Sequence, residues 1–148
     1  MVASGAHAQL LDINPRDAIL ADYAKVQLAK PGLIASAYAD LTTSRMTDAA
    51  IDTLLEADIS ACVLQLEHKL GMVNFPDPAQ GALTDMGFNL GVPGLLAKFP
   101  RLCAAAIAGD WVQCAEECHR RDVPYTRNTW TAMRFVEAGS LVRQNSKA

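Results

Sequence analysis

Apolar residues recur at intervals of three and four along most of this chain, and this spacing predicts amphipathic α-helices. The longest regular stripe begins after Thr47-Asp48, a pair typical of a helix start, and stops before Gly71, a residue typical of a helix end. The stripe consists of Ala50, Ile51, Leu54, Leu55, Ala57, Ile59, Cys62, Val63, Leu66 and Leu70. The pattern therefore predicts one long helix between Asp48 and Leu70.

The same spacing, read with start and stop residues, predicts about six helices joined by short loops. Asn14-Pro15 marks the start of the first helix, and Pro31-Gly32 stops it. The remaining predicted helices run from Asp77 to about Leu90, from Leu95 to Ala108 with a kink at Pro100, from Trp111 to about Arg121, and from Thr126 to about Ala138-Gly139. No pair of strands stands out, so the predicted fold class is all-α.

This pattern divides the chain into three segments. Residues 1–45 are expected to hold the N-terminal helix and a short irregular segment, and residues 46–139 the main helical lobe. The polar stretch 140–148 is expected to form a flexible tail. No linker rich in proline, glycine or serine separates the first two segments.

Composition and charge narrow the range of partners. The chain has 148 residues, of which 51% are apolar and 6% aromatic, and its net charge is −3. The apolar content supports a buried core, and the lack of a long basic run argues against nucleic acid as a partner. No uninterrupted apolar stretch is long enough to span a membrane. The N-terminus lacks the basic and apolar regions of a secretory signal, so we expect a cytoplasmic protein or one exported by a signal-independent route.

The four cysteines, Cys62, Cys103, Cys114 and Cys118, are sparse for a disulfide scaffold. We expect buried free thiols, and a single bridge stays open as an alternative in an oxidising compartment. Cys114, Cys118 and His119 fall on a predicted helix, but no second pair of metal ligands accompanies them. We therefore expect neither a metal site nor a cofactor.

Several motifs in the second half of the chain belong together. Residues 82–91 read ALTDMGFNLG, residues 109–111 read GDW, and residues 127–131 read RNTWT, followed by Phe135. In this order they resemble the helical lobe of phage-type lysozymes, glycoside hydrolase family 24. The resemblance extends back to Met46-Thr47 and to the Leu54-Leu55 pair with Asp58. It implies a lysozyme-like helical bundle and a bacterial or phage origin. Phe88, Leu90, Trp111 and Phe135 within these motifs are expected to be core residues.

The catalytic part of the family pattern is altered. Residues 31–40, PGLIASAYAD, resemble the family's E-G-x-x-x-x-A-Y-x-D, with Pro31 at the position of the catalytic glutamate. No glutamate occurs before Glu56. The segment that would hold the family's small β-hairpin is only Leu41 to Arg45, so we expect this hairpin to be reduced or absent.

The resemblance nevertheless suggests site residues. Asp40 would match the family's second carboxylate, and Thr42 or Thr43 its water-positioning threonine. Tyr38 and Asn89 would line a substrate cleft. The alternative is that Asp40 is an ordinary loop aspartate and that the threonines cap the helix that follows.

Three functions stay open. The first is a catalytically degenerate lysozyme-like domain that binds peptidoglycan, another amino-sugar glycan or a protein partner in cell-wall, phage or secretion-system biology. The second is an active peptidoglycan muramidase with a displaced acid near Asp40. The third is a non-enzymatic interaction or immunity-type protein. Hydrolysis of a glycosidic bond needs a protonated carboxylic acid with a raised pKa, and the missing early glutamate therefore favours the first.

Overall fold

The computed structural model describes residues 15–146, and every regular element in that range is helical. The chain is therefore all-α, as the hydrophobic pattern predicts. Its α-helices are α1 (Pro15–Leu28), α2 (Asp48–Leu70), α3 (Asp77–Leu90), α4 (Val92–Lys98), α5 (Pro100–Ala108), α6 (Trp111–Glu117) and α7 (Tyr125–Asn145). Two short 3₁₀ helices cover Ala35–Leu41 and Met72–Asn74. None of the described helices is long and apolar enough to cross a membrane.

The chain divides into two compact units, residues 1–51 and residues 52–148. In the first unit, the carboxylate of Asp22 on α1 accepts hydrogen bonds from the backbone N–H groups of Thr43 and Ser44 at 2.8 and 2.7 Å. The Lys25 ammonium lies 3.0 Å from the same carboxylate. The hydrogen bond from Ser44, helped by Lys25, holds the pKa of Asp22 well below its ordinary value.

The second unit is built around an apolar core. Leu66, Leu83, Met86, Leu95, Leu102 and Phe135 are completely buried there, and they come from α2, α3, α4, α5 and α7. Helices α2 and α3 approach closely at Gly87, where an added Cβ would lie 3.0 Å from the Cys62 sulfur. A larger residue at this position would force the Cys62 and Leu66 side chains to shift by a few tenths of an ångström.

Most of the predicted boundaries are confirmed. Gly71 and Gly109 have positive φ angles of 68° and 72° and end α2 and α5. The Asp110 side chain accepts a hydrogen bond from the Gln113 backbone N–H at 3.0 Å and so caps α6. The predicted helix from Leu95 to Ala108 is in fact two helices, because Pro100 starts a new one after the non-helical residue Phe99. The first of the two already begins at Val92, so the predicted start at Leu95 is wrong as well.

Four predictions need correction. Phe88 is 46% exposed, so it is not a core residue. Helix α6 ends at Glu117 rather than near Arg121, and α7 begins at Tyr125 rather than after a Thr126 cap. Helix α7 also continues to Asn145, so most of the segment expected to be a flexible tail is helical. Asn14, the predicted cap of the first helix, lies outside the described residues.

The four cysteines are free and buried, which confirms the thiol prediction. Cys114 is completely enclosed in the second unit. Burial, reinforced by the charge of Asp110, raises its pKa to about 12. Cys114 therefore behaves as a small apolar core residue and not as a nucleophile.

Candidate functional site

The first unit contains four of the residues that the resemblance singles out. Tyr38 lies on the 3₁₀ helix Ala35–Leu41 and is half-buried. Its hydroxyl donates a hydrogen bond to the Lys30 carbonyl at 2.7 Å and accepts one from the Leu33 N–H at 3.1 Å. The phenol therefore stabilises the turn that follows α1, and its hydrogen-bonding groups are used within the chain.

Asp40 lies on the same 3₁₀ helix and is exposed. Within residues 15–146, its carboxylate makes no hydrogen bond or ion pair that would orient it. A general acid in a glycosidase keeps its proton near neutral pH because an apolar surround disfavours the charged form. The exposure of Asp40 does not provide that environment.

Thr42 directly follows this 3₁₀ helix. Its hydroxyl donates to the Ala39 carbonyl at 3.4 Å and accepts from the Arg45 guanidinium at 2.9 Å. Thr43, the other candidate, donates its hydroxyl to the Asp22 carboxylate at 3.3 Å. Both threonines therefore stabilise the segment between α1 and α2 through hydrogen bonds.

Asn89, the remaining candidate, belongs to the second unit. It is exposed near the end of α3 and lines a pocket of about 400 Å³. The junction of α4 and α5 contributes Lys98 and Phe99 to the wall, and the loop between α6 and α7 contributes Arg120 and Arg121. The pocket thus combines an amide, an aromatic ring and several cations.

The Arg120 guanidinium is the buried member of this wall, with only 3% of its side chain exposed. Its Nη2 donates hydrogen bonds to the Asp85 carboxylate at 2.9 Å and to the Thr131 hydroxyl at 2.8 Å. Arg127 also donates to Asp85, through Nε at 3.0 Å and through Nη2. Two guanidinium groups therefore share one carboxylate, and the cluster keeps a net positive charge.

Burial of Asp85 acts to raise the pKa of its carboxyl group. The hydrogen bonds from Arg127 and Arg120 act in the opposite direction and outweigh burial, so the pKa of Asp85 is lowered. Asp85 is consequently a permanent anion at neutral pH. Its role is to hold two arginines, and it cannot act as a general acid.

The backbone of Arg120 is fixed as well. Its N–H donates to the Asn128 side-chain oxygen at 3.1 Å, and its carbonyl accepts from the Asn128 amide at 2.8 Å. The Thr131 hydroxyl, which accepts from Arg120, donates in turn to the Arg127 carbonyl at 2.9 Å. Three polar positions of the 127–131 motif therefore serve to position Arg120 and Asp85.

Two donors of Arg120 are left over. Nε and Nη1 are buried, and neither has a hydrogen-bond partner among residues 15–146. A buried unsatisfied donor costs about 1–3 kcal/mol of stability, and more when it is charged. Such a group has a strong tendency to bind an acceptor, above all an anionic one.

Sequence reasoning identified Asn89 but missed Arg120 and Asp85. These two residues are separated by 35 positions in sequence, so no local motif connects them. One signal was available in α3, where Asp85 lies between the apolar residues Leu83 and Met86. A carboxylate at such a position usually needs a buried cation, and the Arg120-Arg121 pair was a nearby source of one.

No family model, curated protein or solved structure matches this chain. The resemblance to phage-type lysozymes therefore stays a prediction that rests on the motifs of residues 46–139.

Proposed function

We propose that this chain is a catalytically degenerate lysozyme-like domain that binds peptidoglycan or another amino-sugar glycan without hydrolysing it. The observation that carries the proposal is the pocket beside Asn89, about 400 Å³ in volume and lined also by Phe99. Ligand pockets typically combine apolar or aromatic walls with a few polar groups that fix orientation. An aromatic ring beside an exposed amide suits a sugar ring that bears an N-acetyl group.

The carboxylates of the chain support the non-catalytic part of this proposal. Glycoside hydrolysis needs one carboxylic acid with a raised pKa and a second carboxylate to assist it. Asp22 and Asp85 have shifted pKa values, and both shifts are downward. Asp40, which the resemblance suggests as a site carboxylate, is exposed.

A titration with neutral chitotetraose tests the binding step. We expect weak binding in the millimolar to high micromolar range and a loss of about two- to tenfold in affinity in Asn89→Ala, the usual effect of one hydrogen bond. Gln65→Ala is the matched control, because Gln65 is another exposed amide on a helix and does not line this pocket. Absence of binding at millimolar ligand would rule the glycan proposal out.

Lysis of chloroform-treated Gram-negative cells tests the catalytic step. We expect micromolar protein to leave turbidity unchanged. Clearing that disappears in Asp40→Asn would instead establish the muramidase alternative, with Asp40 in its active site. Clearing that survives in Asp40→Asn would place the acid elsewhere in the chain, and either result would reject the degenerate domain.

The second candidate is a non-enzymatic interaction protein. The observation in its favour is an exposed apolar strip on α7 formed by Trp130, Met133 and Val136, with Arg134 positioned 5.9 Å from the Trp130 ring centre. Exposed apolar patches of this kind often mark protein interfaces. Sedimentation velocity over a range of concentrations tests self-association through this strip. A dimer that Met133→Lys abolishes would support the second candidate, and a monomer throughout would argue against it.

A further inference from the structure

The charged side chains that line the Asn89 pocket are mostly cationic. Lys98 and Arg121 are exposed on its wall, and Asp122 is the carboxylate among the lining residues. Arg120 completes the set of charged residues that line the pocket, and its carboxylate partner Asp85 is shared with Arg127. Cations therefore outnumber carboxylates at this place, although the chain as a whole carries a net charge of −3.

Arg120 is also prepared for a further partner. Its side chain and backbone are held by Asp85, Thr131 and Asn128, so the guanidinium loses little freedom on binding. Its Nε and Nη1 atoms have no partner within the described part of the chain. Asp85 and Thr131 both accept from Nη2, while the donors on Nε and Nη1 are free.

From this geometry we propose that the pocket is an oxyanion-binding site, in which Arg120 binds a carboxylate or phosphate group of a ligand and Lys98 and Arg121 supply the surrounding positive charge. Nε–H and Nη1–H point to different sides of the planar guanidinium, so each offers a single charge-assisted hydrogen bond to an oxygen of either group. The free donors of Arg120 are buried, so binding of the anion requires a local rearrangement of the pocket wall. The site requires only an anion and stands without the glycan proposal.

Anion binding is measured with inorganic phosphate and with sodium acetate as the two probes, and with sodium chloride at matched ionic strength as the reference. We expect phosphate, acetate or both to shift the amide resonances of residues 98 and 119–122 at millimolar concentration. Chloride should leave these resonances unchanged. A response to only one probe identifies the class of oxyanion. Shifts equal to those in chloride, or none at all, would overturn the proposal.

Variants assign the effect to the pocket. Arg120→Gln should weaken binding by about tenfold or more, the value of a charge-assisted hydrogen bond. Since this buried change can disturb folding, Lys98→Gln on the rim is tested in parallel and should weaken binding about two- to threefold. Lys69→Gln is its control, an exposed lysine on α2 that does not line the pocket. Equal losses in Lys98→Gln and Lys69→Gln would reject the site.

The anion titration and the chitotetraose titration can fail separately. Chitotetraose carries no charge, so its binding does not depend on the free donors of Arg120. Binding of chitotetraose without an anion response would retain the glycan proposal and remove the oxyanion site. An anion response that is lost in Arg120→Gln, without chitotetraose binding, would retain the oxyanion site and remove the glycan proposal.

Discussion

Different kinds of interaction stabilise the interior of each of the two compact units. In residues 16–51 of the first unit, the only buried residue is the aspartate Asp22, whose carboxylate gathers the N–H groups of Thr43 and Ser44. In the second unit a continuous apolar core joins several helices, and a charged cluster centred on Asp85 lies beside that core. The first unit is thus organised by hydrogen bonds, among them those to the Asp22 carboxylate, and the second mainly by apolar burial.

This difference predicts which changes should affect the stability of each unit. Apolar burial contributes about 25 cal/mol per Å² and is nearly independent of pH, so the second unit should respond most to changes of side-chain volume. Hydrogen bonds to the Asp22 carboxylate are weakened when the carboxylate is protonated, so the first unit should respond most to pH. The predictions below test this contrast.

The largest effect is expected in the core of the second unit. Phe135→Ala removes a completely buried aromatic ring from α7 and should lower the free energy of unfolding by about 3–5 kcal/mol. Val136→Ala, the exposed neighbour on the same helix, should change it by less than about 0.5 kcal/mol. Urea denaturation followed by circular dichroism measures both. Similar losses in the two variants would mean that the apolar core does not dominate this unit.

The charged cluster should come next. Asp85→Ala leaves Arg120 buried without its carboxylate and should lower the free energy of unfolding by about 2–3 kcal/mol. Asp122→Ala removes an exposed carboxylate nearby and should have little effect. The same denaturation experiment compares them. If Asp85→Ala were as stable as the parent protein, the cluster would be dispensable for folding.

The features that sequence could predict are those that depend on neighbouring residues. The helix ends at Gly71 and Gly109 and the Asp110 cap each follow from one residue and its immediate surroundings. The sequence also predicted a kink at Pro100. The local pattern could not show that the helix is divided in two at this residue.

The features that sequence missed depend on contacts between distant segments. Phe88 was expected in the core, but the buried face of α3 includes Gly87, which packs tightly against the Cys62 and Leu66 side chains of α2. Phe88 lies one position farther around the helix and is therefore exposed. In the same way, Arg120 acquires its role only because α3 brings Asp85 to the loop after α6. The Asn89 pocket is formed by three segments that are distant in sequence. The sequence therefore predicted only Asn89 as a residue of this site.

A smaller and more local effect is expected in the first unit. Asp22→Asn replaces the carboxylate by a neutral amide and should weaken the hydrogen bonds from Thr43 and Ser44. Amide hydrogen exchange at these two residues should become faster, whereas the exposed control Asp17→Asn on the same helix should leave it unchanged. Unchanged protection in Asp22→Asn would show that another interaction holds this segment.

The smallest effect is the response of the same contact to pH. Because the pKa of Asp22 is lowered on folding, its carboxylate contributes stability that is fully present above the unfolded-state pKa of about 3.9. That contribution declines as pH falls below this value and is lost as pH passes through the lower folded-state pKa. The amide resonances of Thr43 and Ser44 should therefore stay constant from neutral pH to about pH 4 and move only in stronger acid. Asp22→Asn removes the titrating group, so its resonances should lack this transition. A transition near the ordinary aspartate pKa in the parent protein would show that the carboxylate is not held as the structure describes.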